Sequence, residues 1–351
     1  MGFQLRDLKY VVSFVLPWAA FCGLYFGGIR SFLVPVVAFG LLPFLELILP
    51  ASKSNFQESA EPARISQRFF DILLYLNVPL QYGILFTYLW MISFGQHDWV
   101  WIIGNTWGTG ICCGVMGINV GHELGHRTSA FERILAKLLL LTSLYMHFII
   151  EHNRGHHKNV SSPLDPASAD YGESLYAFYP RTIIGGMKSA WHLEKLRLSR
   201  IGKPVFDVDN EMIRFIVIQF FFCVGIGLFF GWIGLCAFLI VAVLGMLLLE
   251  TVNYIEHYGL RRKEIEPGVY EKVKPTHSWN SDHELGRIFL YELTRHSDHH
   301  YKAQRPYQIL RHFDESPQLP LGYPGSMILA VIPPLWFAVM NPRVKNIRHT
   351  D

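Results

Sequence analysis

Residues Phe215 to Leu249 read FIVIQFFFCVGIGLFFGWIGLCAFLIVAVLGMLLL, 35 residues without a charge. As one helix rising 1.5 Å per residue this run would be about 50 Å long, well beyond the ~30 Å hydrocarbon core of a bilayer. It therefore reads as two spans that turn near Gly231, Trp232 and Gly234. The rest of the chain agrees. Of its 351 residues 51% are hydrophobic, 15% aromatic and only 17% charged, against about 25% charged in a soluble domain. That aromatic content excludes a disordered chain. The five cysteines, Cys22, Cys112, Cys113, Cys223 and Cys236, lie in apolar runs without a Cys-x-x-Cys pair, which excludes a disulfide-stapled domain and reads as small buried side chains. A net charge of +3 gives no reason to bind nucleic acid.

Four more stretches each supply the roughly 20 apolar residues of a crossing. The expected spans are 10–29, 31–50, 72–95, 99–119, 212–231 and 232–252, a six-helix transmembrane bundle in an all-α integral membrane protein of one catalytic domain. Leu138 to Ile150 and Met327 to Met340 are too short to count, and Pro333-Pro334 would break the second in mid-membrane. Met1 to Lys9 is too short and weakly basic for a cleaved leader, so the first span is expected to stay. Arg6 and Lys9 precede span one, and Lys53, Arg64 and Arg68 lie between spans two and three, while the other side offers Arg30. The positive-inside rule then puts both termini, and a helical cap formed by 122–210 and 253–351, in the cytoplasm. The cap holds every one of the sixteen histidines except His97.

Three clusters carry the chemistry: His122-Glu-Leu-Gly-His126, Glu151-His152-Asn-Arg-Gly-His156-His157 and Arg295-His296-Ser-Asp-His299-His300. Residues three or four apart share a helix face, so His122 with His126, His152 with His156 and His296 with His299 are expected to act as clamps on a metal. Adjacent histidines point about 100° apart on a helix. The pairs His156-His157 and His299-His300 should therefore serve different ions, and eight imidazoles exceed what one tetrahedral zinc can use. An even number of crossings separates the clusters, which puts them on one side of the membrane.

A ninth histidine, His257, sits in Asn253-Tyr-Ile-Glu-His257-Tyr-Gly259, where the last span leaves the bilayer at the depth of His122. By composition alone it is an interfacial or structural group. Glu123, Glu151, Glu256 and Asp298 adjoin the clusters and are the expected outer partners that fix imidazole tautomers; the alternative is pairing with Arg127, Arg154 or Arg295. His97, His147, His192, His277, His283, His312 and His349 are read as non-ligands, and Asp165 and Asp170 as residues that fix the stretch after the second cluster. A metal transporter would place its ionisable ligands inside the spans, which here are nearly free of charge. His122-Glu123-x-x-His126 also matches the zinc protease pattern, but a protease leaves the other two clusters unexplained.

The set HELGH, EHNRGHH and RHSDHH, with NYIEHYG, resembles the bacterial membrane-bound alkane 1-monooxygenases, within the fatty-acid desaturase and hydroxylase superfamily. The likeness extends to Ser162-Pro163-Leu-Asp165-Pro166-Ala-Ser, Gly172-Glu-Ser-Leu-Tyr176, His277-Ser-Trp-Asn-Ser281 and Gly322-Tyr-Pro-Gly325. It departs at Thr294, where the family usually has Gln. The resemblance implies two non-haem iron ions held by His122, His126, His152, His156, His157, His257, His296, His299 and His300. It implies dioxygen as co-substrate, terminal hydroxylation of a medium- or long-chain alkane drawn from the bilayer lipid, and electrons from rubredoxin with its reductase upstream, at the bacterial inner membrane. Arg261, Arg262, Lys263, Lys272 and Lys274 would then face an acidic donor, or belong to an ordinary cytoplasmic loop. Ala38, with Phe39 beside it on the second span, aligns with a position that limits chain length. The nearest alternative is a desaturase or another lipid hydroxylase of the same superfamily.

Overall fold

The computed structural model describes residues 4–350, with the side chains of 348–350 excepted, so the His349 side chain is outside what is described. Four helices are long and apolar enough to cross a membrane: α1 (Leu5–Phe26), α2 (Gly28–Ile48), α3 (Arg68–Phe94) and α8 (Glu211–His257). Inside α8, Gly231 adopts φ 67° and ψ −171°, a conformation that a side chain would strain, and this breaks the long run in two. Between α3 and α8, helix α4 runs over residues 99–125: Trp99–Cys112, a π-helical stretch Cys113–Asn119, then Val120–Gly125. Its helix runs on past the expected span of 99–119 and carries His122 straight out of the apolar run.

The outer faces of these helices are apolar. Trp18, Phe44, Phe221 and Phe229 are all more than half exposed, as suits contact with lipid rather than water. Trp90, Trp99 and Trp232 are exposed near the ends of α3 and α4 and at the Gly231 break, as in the aromatic belt of a membrane interface. Such construction is that of a multi-pass membrane protein.

Helix α4 is central because its glycines let neighbours close in. The Cα of Gly104 lies against Ser31 of α2, Gly110 and Gly114 against Leu244 and Leu248 of α8, and Gly121 against Ala136 and Leu140 of α5 (Ala130–Leu141). A Cβ at Gly114 would come within 2.6 Å of Leu248. Apolar helices gain no hydrophobic energy by leaving lipid for each other, so close packing over small residues is what holds them.

The remaining elements form the histidine-bearing end: α6 (residues 148–159), α7 (Leu175–Arg200), α9 (Glu284–Phe289), α10 (His296–Tyr301), α11 (Tyr323–Ala330) and α12 (Pro333–Thr350). Leu138 to Ile150 is not one helix: α5 ends at Leu141, and Leu144 has φ 50°. Helices α11 and α12 meet at 119° ahead of Pro333-Pro334, so this stretch makes no straight crossing either. A small hairpin, Glu264–Glu266 with Val269–Tyr270, completes the chain.

Candidate metal centre

Four elements bring nine imidazoles together. Helix α4 ends with His122 and His126 one turn apart, α6 contributes His152, His156 and His157, α8 ends on His257, and α10 carries His296, His299 and His300. The rings fall into two adjoining groups. His122, His126, His152, His157 and His299 form one, and His156, His257, His296 and His300 the other, with the facing nitrogens of each group within 4.8 Å of one another.

The doubled histidines part company, as their 100° divergence requires: His156 and His300 join the second group, His157 and His299 the first. Two of the three expected clamps are different, however. His122 and His126 do face each other, Nε2 to Nε2, at 3.2 Å. His152 pairs instead with His157 at 3.0 Å, because His152–His156 is a π turn, in which residues five apart share a face. His296 pairs with His300 at 2.9 Å rather than with His299, since four residues come closer to a full α turn than three.

The spacing of these nitrogens tests what the groups can hold. Nitrogens bound to one ion at about 2.1 Å lie about 3.0 Å apart at right angles and about 3.4 Å apart at the tetrahedral angle. Across the site the facing Nε2 pairs lie 2.9–3.2 Å apart. These spacings are compatible with rings of one group sharing a metal ion, and five imidazoles in one group are more than a tetrahedral zinc accepts. Burial first, and neighbouring imidazoles second, push His152, His157, His299 and His300 well below the usual histidine range, which leaves them neutral and ready to bind metal.

The carboxylates beside the clusters mostly face elsewhere. Glu123 pairs with Arg127 at 3.0 Å and accepts the backbone N–H of Tyr307 at 3.2 Å, which leaves a protease reading without its base. Asp298 pairs with Arg305 and Arg311, both at 3.2 Å. Glu151 accepts from Ser189 Oγ at 3.3 Å, and burial, with Asp165 nearby, pushes its carboxyl up to about 8. Glu256 does meet an imidazole, but on the inner nitrogen: its Oε2 lies 3.2 Å from His296 Nε2, while Tyr323 donates to its Oε1 at 2.7 Å. The outer partner is Asp165, whose Oδ2 lies 2.9 Å from His156 Nδ1 and accepts from Ser168 Oγ at 2.5 Å. Burial would lower His156, but the Asp165 carboxylate outweighs it and raises the ring. The signal for this role was the second cluster's tail, Ser162 to Ser168, read only as a loop brace.

Among the described residues the other histidines join neither group. His97 stacks on Trp101 with ring centres 3.7 Å apart, His192 is exposed, and His312 sits between Asp282 and Asp314. His277 accepts from the backbone of Lys274, and His147 is buried against Tyr145. His283 lines a side cavity near Glu46. Of the basic loop residues, Arg262 is turned inward onto the carbonyls of Lys158 and Glu271, and Arg261 and Lys274 pair with Asp170 and Glu271. Thr294 is buried and donates to the Ser281 carbonyl at 2.8 Å.

Ahead of α10, Tyr291 and Glu292 both have positive φ, 49° and 59°, a conformation disfavoured for such side chains. They are pinned: Tyr10 donates to Glu292 at 2.5 Å, Arg287 at 2.6 Å, and Tyr291 meets Ser13 and Asn77. Contacts with α1 and α3 thus aim the third cluster.

Below the histidines lies an apolar cavity between α1, α2, α4, α8, α9 and α11. Asn119, Val252 and Leu293 line it, and each stands three to five residues before a member of the site: His122, His257 and His296. Ala38 and Phe39, from a π turn of α2, line it further down, with Leu16 and Ile111. Its polar side chains are engaged: Asn119 donates to the Leu290 carbonyl at 3.2 Å and Tyr323 to Glu256.

Comparison with known proteins gives a consistent answer. The family model described as fatty acid desaturase matches residues 97–325. Alkane 1-monooxygenase 2 of Pseudomonas aeruginosa is 44% identical over 315 residues, 89% of this chain and 84% of that protein. Alkane 1-monooxygenase 1 of Alcanivorax borkumensis is 39% identical over 97% of this chain and 86% of its own. The xylene/toluene monooxygenase hydroxylase component of Pseudomonas putida is more distant, 27% identical over 97% of this chain and 90% of its own. Histidine clusters, apolar cavity and relatives converge, and the chain belongs to the alkane 1-monooxygenases of the fatty acid desaturase family.

Proposed function

We propose that this enzyme hydroxylates the terminal methyl of a medium- or long-chain alkane to a primary alcohol, with dioxygen as oxidant and rubredoxin, served by its reductase, as electron donor. The nine histidines would hold two iron ions, His122, His126, His152, His157 and His299 around one and His156, His257, His296 and His300 around the other. Bound iron would supply the activation of dioxygen that an imidazole cage by itself lacks. On this reading α1, α2, α3, α4 and the two halves of α8 make six crossings of the inner membrane, and the positive-inside bias of Arg6, Lys9, Lys53, Arg64 and Arg68 supports a cytoplasmic site with both termini on the same side.

The observation that carries this reading is the apolar cavity lined by Asn119, Val252 and Leu293, which stand three to five residues before His122, His257 and His296. An alkane offers no polar handle. Each methylene leaving water contributes about 0.8 kcal/mol, but a substrate arriving from lipid has already gained that, so cavity shape decides which carbon comes to the metals. The buried rings exclude water, Asp165 orients His156, and the strained Tyr291-Glu292 pair positions α10. A desaturase would need the chain to pass the metals at mid-length; the relatives named alkane 1-monooxygenase favour the hydroxylase reading.

The test is to give the full-length, iron-loaded enzyme an alkane, a rubredoxin system and ¹⁸O₂. One labelled oxygen in a primary alcohol is the expected product; an alkene, or a secondary alcohol, would overturn the reading.

A further inference from the structure

A second cavity lies beside the first, lined by Pro43, Glu46, His283, Leu321, Gly322 and Gly325. Glu46 is 3% exposed, and among the described residues no cation pairs with it. Its Oε1 accepts the backbone N–H of Gly286 at 2.9 Å, and its Oε2 is buried without a partner. His283 Nδ1, in the same cavity, is likewise buried and unpartnered. Buried polar atoms are almost always hydrogen-bonded, because leaving them unpaired is costly. Glycine at 286 and 322 is what makes room, for a Cβ at either position would run into the Glu46 carboxylate.

The two cavities share a wall. Leu42, Gly286, Tyr323 and Pro324 line the apolar one, Pro43, Glu46, Gly322 and Gly325 the polar one, and the Glu46–Gly286 hydrogen bond ties the two sides of that wall. The outer rim includes Leu47, which is 68% exposed near the end of α2, where the chain leaves its apolar stretch. A ligand seated beside Glu46, between that wall and the exposed rim at Leu47, would have an apolar tail and one small group able to hydrogen-bond. One carboxylate and one imidazole fall far short of the six to eight oxygens that calcium takes.

We infer that the cavity beside Glu46 binds the hydroxyl end of the primary alcohol product, with Glu46 Oε2 and His283 Nδ1 as its hydrogen-bonding partners, an inference that rests on the alkane-hydroxylase reading. The substrate has nothing to offer these atoms and stays in the apolar cavity. The product differs by one hydroxyl, and that hydroxyl draws it toward the lipid-facing rim.

The experiment measures equilibrium binding of radiolabelled 1-dodecanol and dodecane to the full-length, iron-loaded enzyme in nanodiscs, corrected against empty discs. A hydrogen bond to a charged group is commonly worth a factor of ten or more in affinity. Glu46→Leu should weaken 1-dodecanol relative to dodecane about tenfold, and Glu46→Gln, which keeps a neutral acceptor, about threefold. His283→Ala, at a half-buried ring whose removal leaves the Glu46–Gly286 bond intact, should weaken it about threefold by the loss of a neutral hydrogen bond. That variant keeps the test decisive if Glu46→Leu fails to fold. Unchanged alcohol binding in the folded variants, or wild-type enzyme that does not distinguish alcohol from alkane, overturns the inference. Since binding needs no turnover, that result is distinct from a failure of the labelled-oxygen assay.

Discussion

His156 Nδ1 and Asp165 Oδ2 lie 2.9 Å apart, both side chains almost fully buried, and Ser168 holds the same oxygen from the other side. The carboxylate fixes the ring so that Nε2 faces His300 at 3.2 Å.

Outer partners of this kind typically govern about 10- to 100-fold of metal affinity or activity. Asp165→Asn should therefore lower iron affinity and turnover within that range, read by chelator competition and by alcohol formation. Ser168→Ala, which leaves the carboxylate in place, should cost less.

Substituting the two adjacent histidines of α6 separates the groups. His156→Ala removes a ring from the group of four and His157→Ala from the group of five. Each should drop iron content from about two to about one per chain, because losing one strong donor is felt chiefly by its own ion. Metal analysis of the purified variants, with a spectroscopic signature that differs between them, checks this. Equal loss of both ions in both variants would show that the groups do not act as two sites.

Ala38 lines the apolar cavity and is 8% exposed. Overfilling a packed space costs about 1–3 kcal/mol, so Ala38→Trp should reduce kcat/KM for the longest accepted alkanes by about ten- to a hundredfold. Short alkanes should lose little. A competition assay across chain lengths measures the shift, and an unchanged profile would remove Ala38 from the channel.

Glu292 joins Tyr10 of α1 to Arg287 of α9 while holding positive φ ahead of α10. Breaking a buried charged pair from one side costs about 3–5 kcal/mol. Glu292→Leu should lower the thermal unfolding midpoint and loosen the third histidine cluster, with loss of bound iron at temperatures the parent tolerates. Glu292→Gln keeps a hydrogen-bonding oxygen and should lose less on both measures.

Much of this arrangement was legible in the chain, and the misreadings share a cause. The uncharged run at 215–249 announced two helices because length against bilayer thickness leaves little choice, and Gly231 is where the backbone needs a residue without a side chain. The histidine clamps were read with 3.6 residues per turn, so the π turn at His152–His156, which pairs 152 with 157, was not visible. Of the carboxylates next to ligands in sequence, Glu123 takes the alternative weighed for it, pairing with Arg127, and Asp298 pairs with Arg305 and Arg311, since neighbours on a helix point about 100° apart. A ring's partner comes from another turn, as Asp165 does for His156. The glycines of α4 went unremarked because their meaning lies in the helices pressed against them.

The His156-His157 and His299-His300 pairs place one peptide link between members of different groups, twice over. Consecutive Cα atoms are held at about 3.8 Å, so α6 and α10 each work as a rigid yoke across both positions. Neither location can drift, tilt or open without dragging its twin. If each group holds an ion, as proposed, the spacing between the two would be tied to the backbone by these covalent links.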